Sequence, residues 1–130
     1  MIFLVRSAIV LLYPRTGHLP GAEDCDLDAF LERYRRETTR LVWFGVVLGA
    51  VVFHLTPVLT VRVPLPAFAL SPRLADKHAH AISTTEVYLL RQAIFLVKLA
   101  AGLAWGQDAE VRKRLALPPL QADPGTWRIS

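Results

Sequence analysis

The chain has 130 residues, of which 53% are hydrophobic and 20% charged, and its mean hydropathy is +0.36. Because a soluble domain of this length leaves much of its surface in water, this composition excludes an ordinary soluble monomer and predicts that lipid or a large partner covers the apolar surplus. The net charge of +4 favours anionic lipid or an acidic protein face. We expect no nucleic acid partner, since no recognition motif accompanies the basic residues.

Residues 1–13 are apolar apart from Arg6 and Ser7. The segment is too short to span a bilayer, and it lacks the charged start and the small-residue cleavage site of a secretory leader. We therefore expect no cleavable signal peptide and a short helix that ends before Pro14. Residues 14–25 contain two prolines and two glycines and predict turns.

A single cysteine, Cys25, excludes an internal disulfide, a Cys-based zinc site, an iron–sulfur cluster and a covalent haem attachment. Because Asp24 and Asp26 flank Cys25, we expect a raised thiol pKa and a structural role. The sequence shows no Gly-rich phosphate loop, nucleophile elbow or zinc motif. It therefore predicts no catalytic residue, no metal site and no cofactor in this chain.

A first long helix is predicted over residues 26–54. Its acidic start suits a helix N-terminus, and it begins amphipathic. The apolar face of this part comprises Leu27, Phe30, Leu31, Tyr34, Thr38 and Leu41. From Leu41 to Val61 the chain contains no Asp, Glu, Lys or Arg, which is typical of a segment buried in lipid or in protein.

This apolar run does not fit a simple membrane span. Pro57 is expected to end the helix near His54, which leaves roughly 22 Å of apolar helix against a bilayer core of about 30 Å. Basic residues lie on both sides of the run, whereas a single span shows an asymmetry of Lys and Arg. We expect either an embedded kinked helix with both flanks in the cytoplasm or a helix that packs on a partner.

Three residues of the run are candidate contact or ligand positions. Gly45 and Gly49 have the Gly-x-x-x-Gly spacing that allows helices to approach closely, and we expect them at a helix–helix contact. His54 is a candidate axial haem ligand, but no second histidine is expected on an apolar helix. We therefore expect His54 to bond to a carbonyl at the helix end.

Residues 56–70 contain three prolines and predict an extended connector. Ser71 and Pro72 then predict the cap and first turn of a short helix over residues 73–82. His78 and His80 lie in this segment. Two residues apart on a helix, they would face different directions, so we expect a solvated polar turn and no shared metal ion.

A second long helix is predicted over residues 84–105, opened by a capping box of Ser83 and Glu86. The helix is apolar almost all round. It nevertheless carries Arg91 and Lys98, and neither has an acidic residue three or four positions away. We expect these two cations either to pair with a partner or to extend to the surface.

The chain is predicted to end in a short helix capped by Asp108 that runs through Leu115. The fold class is then all-α, an irregular bundle of two long helices and several short ones. Residues 1–119 are predicted to form one helical domain and residues 120–130 an extended tail. Trp127 in that tail is expected to lie on another surface.

Several short motifs together resemble one protein family. They are Leu12-Tyr13-Pro14, the acidic helix start at residues 24–28, Leu-Thr-Pro-Val-Leu at 55–59, Leu-Ser-Pro-Arg at 70–73, Tyr-Leu-Leu-Arg at 88–91 with the later Lys98, and Trp-Gly-Gln-Asp-Ala-Glu-Val-Arg at 105–112. Over most of residues 8–119 the chain resembles the small helical module of GMC-type, FAD-dependent oxidoreductases. Such modules form the N-terminal region of long-chain alcohol oxidases or a separate subunit resembling gluconate 2-dehydrogenase subunit 3. This chain departs from the pattern at Ala116, where glycine is usual, and in its unusually apolar segment 41–61.

The resemblance implies a non-catalytic accessory subunit that holds its complex at the membrane. Together with the basic flanks of the apolar run, this predicts the cytoplasmic face of the inner membrane. FAD and the catalytic histidine would lie in a large oxidoreductase subunit that acts on alcohols. We expect the interface with that partner at Arg91, Lys98, Trp105, Arg112 and Trp127. Two alternatives remain: a small integral membrane scaffold that self-associates through Gly45 and Gly49, and a haem-carrying electron-transfer subunit.

Overall fold

The computed structural model describes residues 1–121, and within them the fold is all-α. Seven α-helices and two short 3-10 turns (Ala22–Asp24 and Ala67–Ala69) make up this part of the chain. The helices are α1 (Ile2–Leu12), α2 (Leu27–Glu37), α3 (Arg40–Leu55), α4 (Pro57–Thr60), α5 (Pro72–Thr84), α6 (Tyr88–Gly106) and α7 (Ala109–Arg114).

The core forms where α1, α3 and α6 pack on one another. The short apolar helix α1 contributes Val5, Ala8 and Ile9, which are completely buried against the two longer helices. Its position follows from its composition, because a helix that is apolar on most sides is stable only when protein or lipid surrounds it. Arg6, the one charged side chain in α1, instead bonds at the surface to Asp28 of α2, over 3.1 Å.

The predicted helix over residues 26–54 is wrong at its middle, where the structure has two helices. Thr38 adopts an extended conformation and bonds through its hydroxyl to the carbonyl of Tyr34, which ends α2. Thr39 then caps α3 by accepting the N–H of Val42. Hydroxyl side chains compete in this way with the helical hydrogen bonds of the backbone. The break turns Leu41 away from the buried face of α2, so Leu41 is exposed, contrary to the predicted face.

The predicted start of the second long helix is also wrong. Ser83 and Thr84 belong to α5, because Ile82 is buried and holds the last turn of that helix in the core. α6 begins four residues later at Tyr88, with Val87 at the cap position and no side-chain cap. Glu86 remains exposed, so the capping box does not form.

Other predicted boundaries are confirmed. α1 ends before Pro14, Ser71 caps α5 with Pro72 in its first turn, and Asp108 caps α7 through the N–H groups of Glu110 and Val111. The connector over residues 56–70 is less extended than predicted, since it contains α4 and one of the two 3-10 turns. The helix ends near His54 as predicted, since α3 stops at Leu55, and Pro57 then occupies the first turn of the separate helix α4, where a missing N–H is tolerated.

Candidate functional site

An exposed apolar stripe runs along α3. Leu41, Phe44, Leu48 and Leu55 follow helical spacing on one side of the helix, and Leu41 and Phe44 are 79% and 62% exposed. Val58 and Leu59 of α4 extend the exposed apolar surface beyond Pro57. The described part of the chain leaves these side chains uncovered.

A second exposed apolar stripe runs along α6. It is formed by Tyr88, Phe95, Leu99 and Leu103, which are spaced seven, four and four residues apart. Phe95 is 55% exposed in the middle of the stripe. α6 is also long and apolar enough to cross a membrane by length and composition, and 28% of its apolar window is buried within the protein.

Two glycines set the close approach of α3 to α6. A Cβ atom at Gly45 would collide with the Leu96 side chain, and one at Gly49 would collide with the Ala93 carbonyl oxygen and lie 2.8 Å from Val97. The predicted contact residues therefore lie at a helix–helix contact inside one chain. α6 already occupies the surface that the self-association alternative requires.

The two stripes lie on the same side of the layer formed by α3 and α6. On one side of the glycine contact, both helices present buried residues, such as Phe53 of α3 and Ile94 of α6. α1 packs against both helices and covers that side. The exposed stripes lie on the other side, so they form one surface. The name apolar face is used below for Leu41, Phe44, Leu48, Leu55, Tyr88, Phe95, Leu99 and Leu103.

Basic residues lie along both edges of the apolar face. Arg91 and Lys98 border the α6 stripe and line a groove of about 410 Å³ with Phe95, Leu99 and Ser83 of α5. At the other edge, a groove of about 420 Å³ is lined by Met1, Arg35, Arg40, Trp43, Phe44 and Val47. Neither groove is lined by a carboxylate. Within residues 1–121, Arg91 and Lys98 form no ion pair, although three other arginines do.

Two of the predicted interface residues have internal roles. The Trp105 ring N–H donates to the Pro20 carbonyl at 2.8 Å, and its ring lies 5.8 Å from that of Tyr13. Arg112 donates to the carbonyls of Pro118, at 2.8 Å, and Gly106, at 3.2 Å. Trp127 lies outside the described residues. The structure thus leaves Arg91 and Lys98 as the predicted interface residues that make no internal bond among the described residues.

Tyr13 and the motif at 105–112 meet at the α7 end of the molecule, whereas the motif at 88–91 lies at the opposite end of α6. Tyr13 lies against Trp105, and Asp108 begins α7 beside Cys25. The pKa of the Cys25 thiol is raised to about 11, mainly by burial. The negative charge of Asp108, its hydrogen bond to the thiol and the charge of Asp24 also raise this pKa. The predicted direction of this pKa is confirmed, although burial contributes more than the flanking aspartates.

The same end holds the position at which the chain departs from the family pattern. Ala116 follows α7 with a φ of 55°, and the Leu117 N–H bonds back to the Arg112 carbonyl at 2.8 Å. This is the helix ending that glycine usually occupies. Alanine therefore adopts the left-handed conformation at a cost of about 1–2 kcal/mol relative to glycine.

The structure places His78 in the core, which the sequence analysis did not foresee. His78 is fully buried on α5, with Nε2 2.8 Å from the Phe53 carbonyl and Nδ1 2.6 Å from the Thr60 hydroxyl. The carbonyl can only accept, so Nε2 carries the proton in the neutral ring. The signal was present in the sequence: Ala75, His78, Ala79 and Ile82 follow the spacing of one buried helix face.

His54 is buried at the end of α3, with a relative exposure of 2%. Its Nε2 lies 3.0 Å from the carbonyl of Leu4, as expected of a histidine bonded to a carbonyl at the helix end. Its Nδ1 has no hydrogen-bond partner among the described residues. Burial lowers the pKa of both His54 and His78, and each carbonyl contact opposes that effect.

The histidines do not assemble a metal centre in the described part of the chain. Both ring nitrogens of His78 are hydrogen-bonded within the protein, whereas His80 is exposed on α5. Among residues 1–121, no group of three or more His, Cys, Asp or Glu side chains is positioned to hold a metal ion. What distinguishes the surface instead is the apolar face with its basic edges.

Searches with protein-family models, curated proteins and solved structures find no match to this chain.

Proposed function

We propose that this chain is a non-catalytic accessory subunit that attaches a large, GMC-type, FAD-dependent oxidoreductase subunit to the membrane. The observation that carries the proposal is the apolar face, which the chain itself leaves uncovered. An exposed apolar patch of this kind marks a protein or membrane interaction site. In this proposal FAD and the catalytic histidine belong to the large subunit, whose substrates are alcohols.

The α7 end is the surface that we assign to the large subunit. Tyr13 and the 105–112 motif of the family resemblance lie there, and the polar groups of Trp105 and Arg112 stabilise this end from within. Beside them lies a groove of about 490 Å³, lined by Gln107, Ala109, Arg112, Lys113, Leu117, Pro119 and Leu120. Exposed leucines next to a cation suit a partner surface that is apolar with an acidic rim.

The apolar face is the surface that we assign to the membrane. Basic residues at both of its edges match the arrangement of side chains that extend from an apolar surface toward lipid headgroups. The proposed location is the cytoplasmic face of the inner membrane. With one surface for the oxidoreductase and another for lipid, the module would act as an anchor.

Co-purification from the native host tests the proposal. We expect tagged protein, solubilised in mild detergent, to retain a large polypeptide with a flavin absorbance spectrum. Leu117→Ser with Leu120→Ser should remove the flavin protein, because both leucines are exposed at the α7 groove. The matched control is Leu65→Ser, a similarly exposed leucine outside that groove.

Two results would contradict the proposal. Tagged protein that never retains a flavin-containing polypeptide excludes the accessory role. A stable homo-oligomer that contains no flavin protein favours the scaffold alternative instead.

A further inference from the structure

The geometry of α3 and α6 is that of helices lying along a membrane surface. With 16 residues, α3 is about 24 Å long, which is shorter than the roughly 30 Å hydrocarbon core. α6 is long enough, but α1, α3 and α5 all pack against it. The apolar face is therefore the main surface of these helices that lipid can reach. A helix exposed to lipid on one side belongs at the interface between headgroups and hydrocarbon.

The α6 edge of this face carries two cations in one groove. Arg91 and Lys98 are seven residues apart, which places them about 10 Å from each other along the helix axis. Both line the groove with Ser83, whose hydroxyl is a further hydrogen-bond donor, and with Phe95 and Leu99. A ligand that fits has an anionic, hydrogen-bonding head and an apolar tail directed along the stripe.

The charged residues along the edges of the apolar face favour lipid over a protein partner at this surface. Arg35 and Arg40 line the groove at the opposite edge, so cations border the apolar face on both sides. A bilayer with anionic headgroups complements cations along every edge at once. No carboxylate lines either groove to be matched by a partner's cation.

We propose that the apolar face lies flat on an anionic bilayer and that Arg91, Lys98 and Ser83 bind the phosphate of an anionic phospholipid. This inference rests on the membrane attachment in the proposed function, and it specifies the face, the orientation and the lipid class. α6 then lies parallel to the bilayer. The two cations neutralise the phosphate while Phe95 and Leu99 enter the acyl region.

Vesicle flotation of the purified full chain tests the site. One set of vesicles is phosphatidylcholine alone, and the other contains about one third phosphatidylglycerol. We expect Arg91→Gln with Lys98→Gln to weaken partitioning into the anionic vesicles about thirtyfold, since each surface cation contributes a factor of about five to six. Partitioning into the neutral vesicles should stay the same.

The matched control removes one arginine and one lysine from another helix. Arg73→Gln with Lys77→Gln changes the net charge equally, and both residues are exposed on α5 outside the groove. We expect it to bind anionic vesicles much as the unsubstituted chain does. Phe95→Gln with Leu99→Gln should weaken binding to both kinds of vesicle, because it removes the apolar contact. Circular dichroism verifies that each variant remains folded.

Three results would overturn the inference. Equal losses in the Arg91/Lys98 variant and its control show that net charge alone acts. Displacement from vesicles by millimolar glycerophosphate assigns the groove to a free phosphate ester. Retention of the flavoprotein by a chain that binds no vesicle assigns the apolar face to protein. Vesicle binding that depends on Arg91 and Lys98 supports the lipid site even if no flavoprotein partner is found. In that case only the proposed accessory role is contradicted.

Discussion

His78 links three helices through two hydrogen bonds. It lies on α5, its Nε2–H donates to the last turn of α3, and its Nδ1 contacts Thr60 at the end of α4. Only the neutral ring can accept a hydrogen bond from the Thr60 hydroxyl at Nδ1. Nearby His54 is likewise buried, and the two rings both lie against Phe53. A second proton on either imidazole ring would place a positive charge in this apolar region.

These histidines predict that stability decreases in mild acid. Burial lowers the pKa of each below its ordinary value of 6.5, so below that pH the unfolded chain binds protons that the native chain does not. The stabilisation is complete above pH 6.5 and is lost as the pH falls toward the native pKa values. The free energy of unfolding should drop by at most about 1.4 kcal/mol per pH unit for each histidine.

Urea unfolding in the presence of detergent, at pH 7.5 and at a series of lower values, measures this effect. His54→Gln with His78→Gln should flatten the slope, and His80→Gln, which removes an exposed histidine from the same helix as His78, should leave it unchanged. A slope that survives the double substitution would assign the acid sensitivity to other groups.

For single residues, the sequence predicts the kind of hydrogen bond or pKa shift better than it predicts whether the side chain is buried. The direction of the Cys25 pKa shift was predicted from its flanking aspartates, but its main causes are burial and Asp108, which the fold brings beside it. A carbonyl partner was expected for His54. The burial of His78 was missed because the polar tract around it suggested solvent. The decisive information was the spacing of Ala75, Ala79 and Ile82, which becomes meaningful once α5 packs on the core.

The contact between α3 and α6 depends unequally on its two glycines. At Gly49 an added methyl group would collide with the Ala93 carbonyl oxygen, which belongs to the backbone of α6 and cannot rotate away. At Gly45 the obstacle is the end of the Leu96 side chain, which is flexible and only partly buried. The two positions share a sequence motif but differ in what surrounds them.

We therefore expect Gly49→Ala to lower the free energy of unfolding by about 1–3 kcal/mol, the cost of overpacking a well-packed contact. Gly45→Ala serves as the matched control. Its cost should be within about 1 kcal/mol of zero, because Leu96 can change rotamer and alanine favours the helix. Thermal unfolding followed by circular dichroism measures both. Equal losses at the two positions would mean that α6 does not approach α3 most closely at Gly49.

At the scale of elements, the sequence predicts helices more reliably than their ends. The all-α fold and the capped starts of α5 and α7 follow from local patterns. The break at Thr38 and Thr39 and the late start of α6 do not, because each depends on tertiary burial overriding a local preference. Ile82 illustrates this, since its place in the core extends α5 through the serine that was predicted to cap the next helix.

For the whole molecule, the proposed membrane attachment depends more on where the exposed apolar residues lie than on how many there are. Composition indicated an apolar surplus, but it did not show that α3 and α6 would present a large part of it on one side of their layer. That arrangement depends on α1, which covers the opposite side of the same two helices. The basic edges also come from distant parts of the sequence and meet the face only in the folded chain.

Polar substitutions on this face should improve solubility without loss of stability. Phe44→Gln with Phe95→Gln removes two exposed rings, so we expect less aggregation in detergent-free buffer by light scattering and an unchanged melting temperature in detergent. Leu65→Gln, exposed elsewhere, is the control and should aggregate like the unsubstituted chain. If the unsubstituted chain is already a monodisperse monomer in plain buffer, the apolar face needs no cover.

The protonated state of Cys25 bears on its reactivity. A sulfur with a pKa of about 11 is almost entirely uncharged at neutral pH, and the thiolate is the species that attacks disulfides and oxidants. We therefore expect the Cys25 thiol to form mixed disulfides slowly, which suits a structural cysteine.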